Sequence, residues 1–191
     1  MEIGVIVVCL LLSAFFSGME IAFVSSNKIY LEIEKKQNSF LSKILTKLTA
    51  KPSKFIVAML IGNNIVMVIY GFFMGELLMQ WFISLGFEFS DVLSLLLQTL
   101  ISAIIVLMTA EFFPKVFFQI YANTLFKFFA IPAYFFYNVL YFISTFFIWV
   151  SDFILKNFFK TEGDNIQLYF SKVELGNYIT EQMSSVEDNE S

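Results

Sequence analysis

Residues 3–24 read IGVIVVCLLLSAFFSGMEIAFV: the first half is purely apolar, then Ser17, Gly18 and Glu20 enter while the apolar run continues through Ile21, Ala22, Phe23 and Val24. At about 1.5 Å per residue such a helix crosses a hydrocarbon core of about 30 Å. A cleaved signal peptide is the competing assignment, but it needs a basic start, and this chain opens Met1-Glu2. The segment is therefore expected to span the membrane. Glu20 then demands an explanation, because a carboxylate within such a segment is poorly hydrated and costly.

The rest of the chain agrees. Its 191 residues are 58% hydrophobic, 19% aromatic and 15% charged, with a mean hydropathy of +0.76. A soluble domain of this size buries only about 70% of the surface its unfolded chain exposes, too little to hide so much apolar area. An all-α integral membrane protein is expected. All 12 basic residues are lysine and histidine is absent, which excludes a Ser-His-Asp or Cys-His relay and imidazole-bound metals. An enzyme is the least expected class, and nothing points to nucleic acid. Cys9 has no disulfide partner in the chain and is expected to act as a small hydrophobe.

A polar connector follows, SSNKIYLEIEKKQNSFLSKILTKLTAKPSK, holding Lys28, Lys35, Lys36, Lys43, Lys47, Lys51 and Lys54, seven of the twelve lysines. Ile29, Ile33, Leu41, Ile44, Leu45 and Leu48 recur at helical spacing and predict two short amphipathic helices. A short lysine-rich connector belongs on the cytoplasmic side. That sets the N-terminus outside and, after three spans, the C-terminus in the cytoplasm, in the cell (inner) membrane. The second span is expected over about 55–83, followed by a loop, SLGFEFSD, with Glu88 and Asp91 but no lysine. The third, about 92–122, leads back to Lys115 and Lys127. Residues of about 126–156 are apolar enough to cross again. Pro132 and a polar stripe of Asn138, Tyr141, Thr145 and Asp152 favour instead a juxtamembrane helix lying at the interface. From Thr161, seven acids face the single Lys172. Residues 161–191 are expected to form an acidic linker helix leading from the membrane domain of residues 1–160 into a longer protein.

Three polar groupings interrupt the spans. Ser13, Ser17 and Glu20 share a helix face at i, i+4 and i+7, and Gly18 permits close approach or bending. The alternatives are that Glu20 reaches interfacial water or Lys28, and that Ser17 bonds back to its own helix. Asn63 and Asn64, in IGNN, need partners in lipid. Interhelical hydrogen bonds worth about 1 kcal/mol each would serve, and so would a metal bound by the amide oxygens. In TAEFFPK, Pro114 withholds a hydrogen bond from the Ala110 carbonyl beside Glu111. A carboxylate with a freed backbone oxygen makes a hard-cation ligand set. An ion pair from Glu111 to Lys115 is the alternative, although it explains neither the proline nor the asparagines. With no soft ligand among them, these groups suit Mg2+, Ca2+ or Na+. Gly71 and Gly75 form a GxxxG pattern suited to dimer packing or to an ordinary contact within the chain.

FFSGMEIAF, LIGNN and AEFFPK, in this order and with the lysine-rich connector between the first two, resemble the transmembrane domain of the CNNM/CorC family of magnesium transport proteins, some labelled hemolysin-like. The resemblance implies a homodimer with three spans per subunit, a juxtamembrane helix, and an acidic bundle leading to a nucleotide-binding CBS pair that this chain lacks. It implies a Mg2+ site lined by Ser17, Asn63 and Glu111, shaped by Gly18 and the hinge at Pro114, with Glu20 in the same signature and Na+ as coupling ion. The chain departs from the family in having Met67 where a second asparagine often stands, and Ala110 where a glycine precedes the glutamate. The expected function is Mg2+ efflux from an inner-half site, with membrane lipid and a second copy of the chain as partners. A membrane Mg2+ sensor acting on a partner is the alternative. A pore-forming toxin fits the three firm spans poorly.

Overall fold

The computed structural model describes residues 2–37, 39–86 and 90–159, and every regular element among them is helical. Three helical stretches are long and apolar enough to cross a membrane. They are α1 (Glu2–Ser25), α4 (Pro52–Ser84) and a composite span Asp91–Ile120. The composite consists of α5 (Asp91–Val106), a π-helical turn (Leu107–Phe112) and α6 (Phe113–Ile120). The protein is an all-α membrane protein with spans close to those expected. At 33 residues α4 is about 50 Å long and exceeds the hydrocarbon thickness, so it must tilt or project.

Local chemistry fixes the connector. Asn27 accepts hydrogen bonds from the N–H groups of Ile29 and Tyr30 and starts α2 (Lys28–Lys36). Ser39 and Ser42 form a reciprocal capping box that starts α3 (Phe40–Thr49). Pro52 occupies the first turn of α4, where its missing N–H costs nothing. These are the two amphipathic helices predicted from the spacing, with one exchange of faces. Ile33 points outward at 58% exposure, while Leu31 and Glu34 turn inward.

The core is the seam between α1 and α4, where Ile6, Cys9, Phe16 and Ala22 of one helix meet Phe55, Ala58, Met59 and Val66 of the other. Cys9 is a buried hydrophobe, as expected. The third span is barely covered: 6% of its most apolar window is buried, against 44% for α1.

The expected helix over about 126–156 is observed in pieces: α7 (Ala122–Phe128), α8 (Ala130–Val139) and α9 (Tyr141–Ile154). Pro132 sits in the first turn of α8 and has no N–H for the Phe128 carbonyl, so α7 ends there. A second break falls at Leu140, between Asn138 and Tyr141, and interrupts the predicted polar stripe. The contacts divide the chain into two units, Met1–Thr145 and Phe146–Ser191. The described part of the second is the rest of α9 and a π-helical turn, Leu155–Phe159. The acidic linker expected at 161–191 lies outside the described residues.

One clamp binds the connector to α7. The Asn27 N–H donates to Asn123 Oδ1 at 2.8 Å, and Lys127 Nζ lies 2.7 Å from Glu34. The hydrogen bond from Lys127 holds the Glu34 carboxyl below its ordinary value, against the opposing effect of burial. The same bond raises Lys127. The pair therefore stabilises fully above the ordinary carboxylate value of 4.5 and fades as pH falls through the depressed folded one. At the alkaline end it holds below the ordinary lysine value of 10.5 and fades as pH rises through the raised one. Glu34→Gln should accelerate amide exchange several-fold across Lys28–Lys36 at neutral pH while leaving α4 unchanged. Acidifying the unsubstituted protein below the Glu34 titration should reproduce that pattern.

Candidate metal centre

The polar groups of the spans lie at similar distances from their connector-side ends. Ser17 is eight residues from the end of α1, Asn63 eleven from the start of α4, and Glu111 nine from the end of the third span. At about 1.5 Å per residue that is roughly 12, 16 and 14 Å along each helix.

Asn63 belongs to the α1–α4 seam. Its Oδ1 accepts a hydrogen bond from Ser13 Oγ at 2.6 Å. Ser13 is fully buried, and an amide oxygen has a second lone pair beyond the one used here. Asn64, one residue on, is exposed on the outside of the bundle. The two adjacent amides therefore differ in kind, and only the first faces α1.

Ser17, one turn beyond Ser13, is 2% exposed. Its hydroxyl makes no hydrogen bond among the described residues, not even back to its own helix. Other hydroxyls of the spans do bond back: Thr99 and Thr109 give their protons to the carbonyls of Leu95 and Ile105. A buried hydroxyl without a partner costs about 1–3 kcal/mol. Ser17 Oγ is thus an oxygen with both lone pairs available inside a dry seam.

Gly18 and Gly62 explain how the helices come so close. A Cβ on Gly18 would stand 2.6 Å from the ring of Phe118 on α6, and one on Gly62 would stand 2.7 Å from the ring of Phe16. Gly18 thus admits an aromatic ring rather than another backbone, and Phe118 in turn stacks on Phe129 at 5.6 Å. Glu20 is half-buried near the end of α1, with Lys115 within electrostatic reach.

Glu111 lies within the π-helical turn, next to the fully buried Ala110. The N–H of Phe113 reaches back five residues to the Met108 carbonyl. In this wider register Pro114 lacks a proton for Thr109 as well as, in the α register, for Ala110. The single N–H that the proline lacks deprives one carbonyl, that of Thr109 or of Ala110 according to register. Single π-turns within α-helices are frequent at functional sites. Lys115 Nζ stands 3.9 Å from Glu111 Oε2, a loose ion pair beyond hydrogen-bond distance, with both side chains over one-third exposed. Among the described residues no three Asp, Glu, His or Cys side chains gather, so any cation here would rely on mixed oxygen donors.

The glycine pair does not tighten the monomer. A Cβ on Gly71 would meet nothing within 4 Å, and one on Gly75 would make ordinary contact with Gln98 at 3.8 Å.

The residue missing from the expected set is Ser13, the actual partner of Asn63; its spacing of four from Ser17 was the available signal. Phe16 and Phe118 were equally hidden, being two of 26 phenylalanines.

Comparison with known proteins places these features in context. The family model described as the cyclin M transmembrane N-terminal domain matches residues 4–190. A UPF0053 protein of Haemophilus influenzae is 39% identical over 62 residues, and a UPF0053 protein of Synechocystis sp. is 35% identical over 71. Those stretches cover 32% and 37% of this chain and only 15% and 16% of the relatives.

Gly18→Ala should destabilise the protein by about 1–3 kcal/mol through overpacking against Phe118. Adding Phe118→Leu should return part of that loss, a coupling that thermal unfolding of the double variant in detergent would reveal.

Proposed function

The chain belongs to the cyclin M transmembrane-domain family, and on that premise we propose that it is the membrane domain of a Mg2+ transporter, with the ion held between Ser17, Asn63 and Glu111. The observation that carries this reading is the Ser17 hydroxyl, buried yet unpartnered among the described residues. A dehydrated Mg2+ takes six oxygens near 2.1 Å. The candidates are Ser17 Oγ, the unused lone pair of Asn63 Oδ1, the Glu111 carboxylate, the carbonyl that Pro114 leaves unserved, and retained waters. Asn64 and Glu20 stand outside this set, Asn64 because it is exposed and Glu20 because it lies nearer the end of α1.

Charge balance gives Lys115 a part. With no ion present its ammonium offsets Glu111 from 3.9 Å, and no hydrogen bond has to break for it to withdraw. An arriving dication would displace it electrostatically. Glu111 is thus neutralised alternately from within the chain and by cargo, which suits a site that must both load and release. Family likeness adds efflux, Na+ coupling and a lysine-rich connector facing the cytoplasm. A homodimer is supported by the nearly bare third span and the open Gly71.

Glu111→Gln should abolish Mg2+ binding by calorimetry, and Ser17→Ala should weaken it about tenfold. Neither should lower the unfolding temperature; removing the orphaned hydroxyl should raise it slightly. Unchanged binding in Glu111→Gln would refute the assignment. Purified protein in liposomes should move Mg2+ without a partner; binding without flux would favour a sensor instead.

A further inference from the structure

Outside the candidate centre, the corner between α3 and α4 carries an unusual density of uncompensated positive charge. Elsewhere on the connector side Lys35 pairs with Glu32, and Lys127 with Glu34. Among the described residues no carboxylate pairs with Lys43, Lys47, Lys51 or Lys54. Two of these lysines meet tyrosines instead. Lys47 Nζ donates to Tyr134 Oη at 2.9 Å, and Lys54 Nζ lies 3.0 Å over the ring of Tyr141. The partners are seven residues apart on both sides, so the contacts form two rungs in register between α3–α4 and α8–α9.

Lys54 sharpens the point, since it is 95% buried, with 5% exposure. A π face attracts a cation but does not neutralise it, and a desolvated ammonium calls for an anion nearby. Lys51 falls between the rungs in sequence and is exposed, and its side chain makes no hydrogen bond or ion pair among the described residues. Because Tyr134 Oη accepts from Lys47, its own proton is left to give.

Position names the source of the anion. Lys51 and Lys54 flank the apolar run of α4, which begins at Phe55, so this corner borders the hydrocarbon on the side of the lipid headgroups. Juxtamembrane lysines are drawn to anionic leaflets, and tyrosines concentrate at the same level. We propose that Lys47, Lys51 and Tyr134, with Lys54 behind them, form a binding site for the phosphate of an anionic phospholipid headgroup. The lipid would bridge the connector to the juxtamembrane helices, a contact that leaves Ser17 and Glu111 untouched and does not depend on the Mg2+ reading.

The full chain, purified in detergent with equimolar phosphatidylglycerol and phosphatidylcholine of matched acyl chains, tests this by native mass spectrometry. Phosphatidylglycerol adducts should dominate. Their excess should fall about fivefold in Lys51→Gln, which has no bond to lose, and further in Lys47→Gln/Lys51→Gln. Tyr134→Phe should reduce it and Lys36→Gln should not. Inorganic phosphate at millimolar concentration should leave the excess intact; its collapse would assign the site to a soluble anion and overturn the lipid. An undiminished excess in Lys51→Gln would also overturn the proposal. So would an unsubstituted protein without lipid preference.

Discussion

The hydrogen bond from Ser13 to Asn63 crosses the seam between α1 and α4, and the other polar features of the bundle take their positions from it. In lipid an unpaired amide is expensive and the medium offers no water to relieve it. Pairing Asn63 with a buried serine fixes the rotation of both helices. Once that rotation is set, Ser17 falls one turn further along the same dry face. Two glycines make the approach possible by admitting rings where side chains would collide: Phe16 over Gly62 and Phe118 over Gly18.

The third span meets this seam through an irregular segment. A π-helical turn carries Glu111, and Pro114, two residues beyond its end, has no N–H to give to the ladder. Irregular backbone at membrane depth is tolerated where it is buried in protein or lines a cavity. The contact of Glu111 with Lys115 is loose, so no hydrogen bond from the lysine holds the carboxylate.

Much of the architecture was legible in the sequence. Long apolar runs betray spans with little dependence on tertiary detail, and Asn27, Ser39 and Pro52 announce the helices that follow them. The segment of about 126–156 was half-legible: Pro132 signalled a break, but nothing as plain signals the one at Leu140. The distribution of polar residues marked Ser13, Ser17, Glu20, Asn63, Asn64 and Glu111 alike, the family resemblance alone singled out Ser17, Asn63 and Glu111, and composition excluded imidazole chemistry. Pairings across helices were beyond reach, because helix rotation decides them. Ser13 and Ser17 are equivalent by pattern, yet only one bonds Asn63. Asn64 looks as qualified as Asn63 and faces outward. Lys47 and Lys54 share a spacing with Tyr134 and Tyr141, a coincidence that acquires meaning only when the helices are seen side by side.

The central claim is that oxygens from three separate spans surround one hard cation. Crystals grown with Mn2+ in place of Mg2+ would test it through the anomalous difference map. A single peak about 2.1–2.2 Å from Ser17 Oγ, Asn63 Oδ1 and a Glu111 oxygen, with Lys115 turned away, is the predicted result. A peak elsewhere, or no peak while Glu111 keeps its lysine, would contradict it.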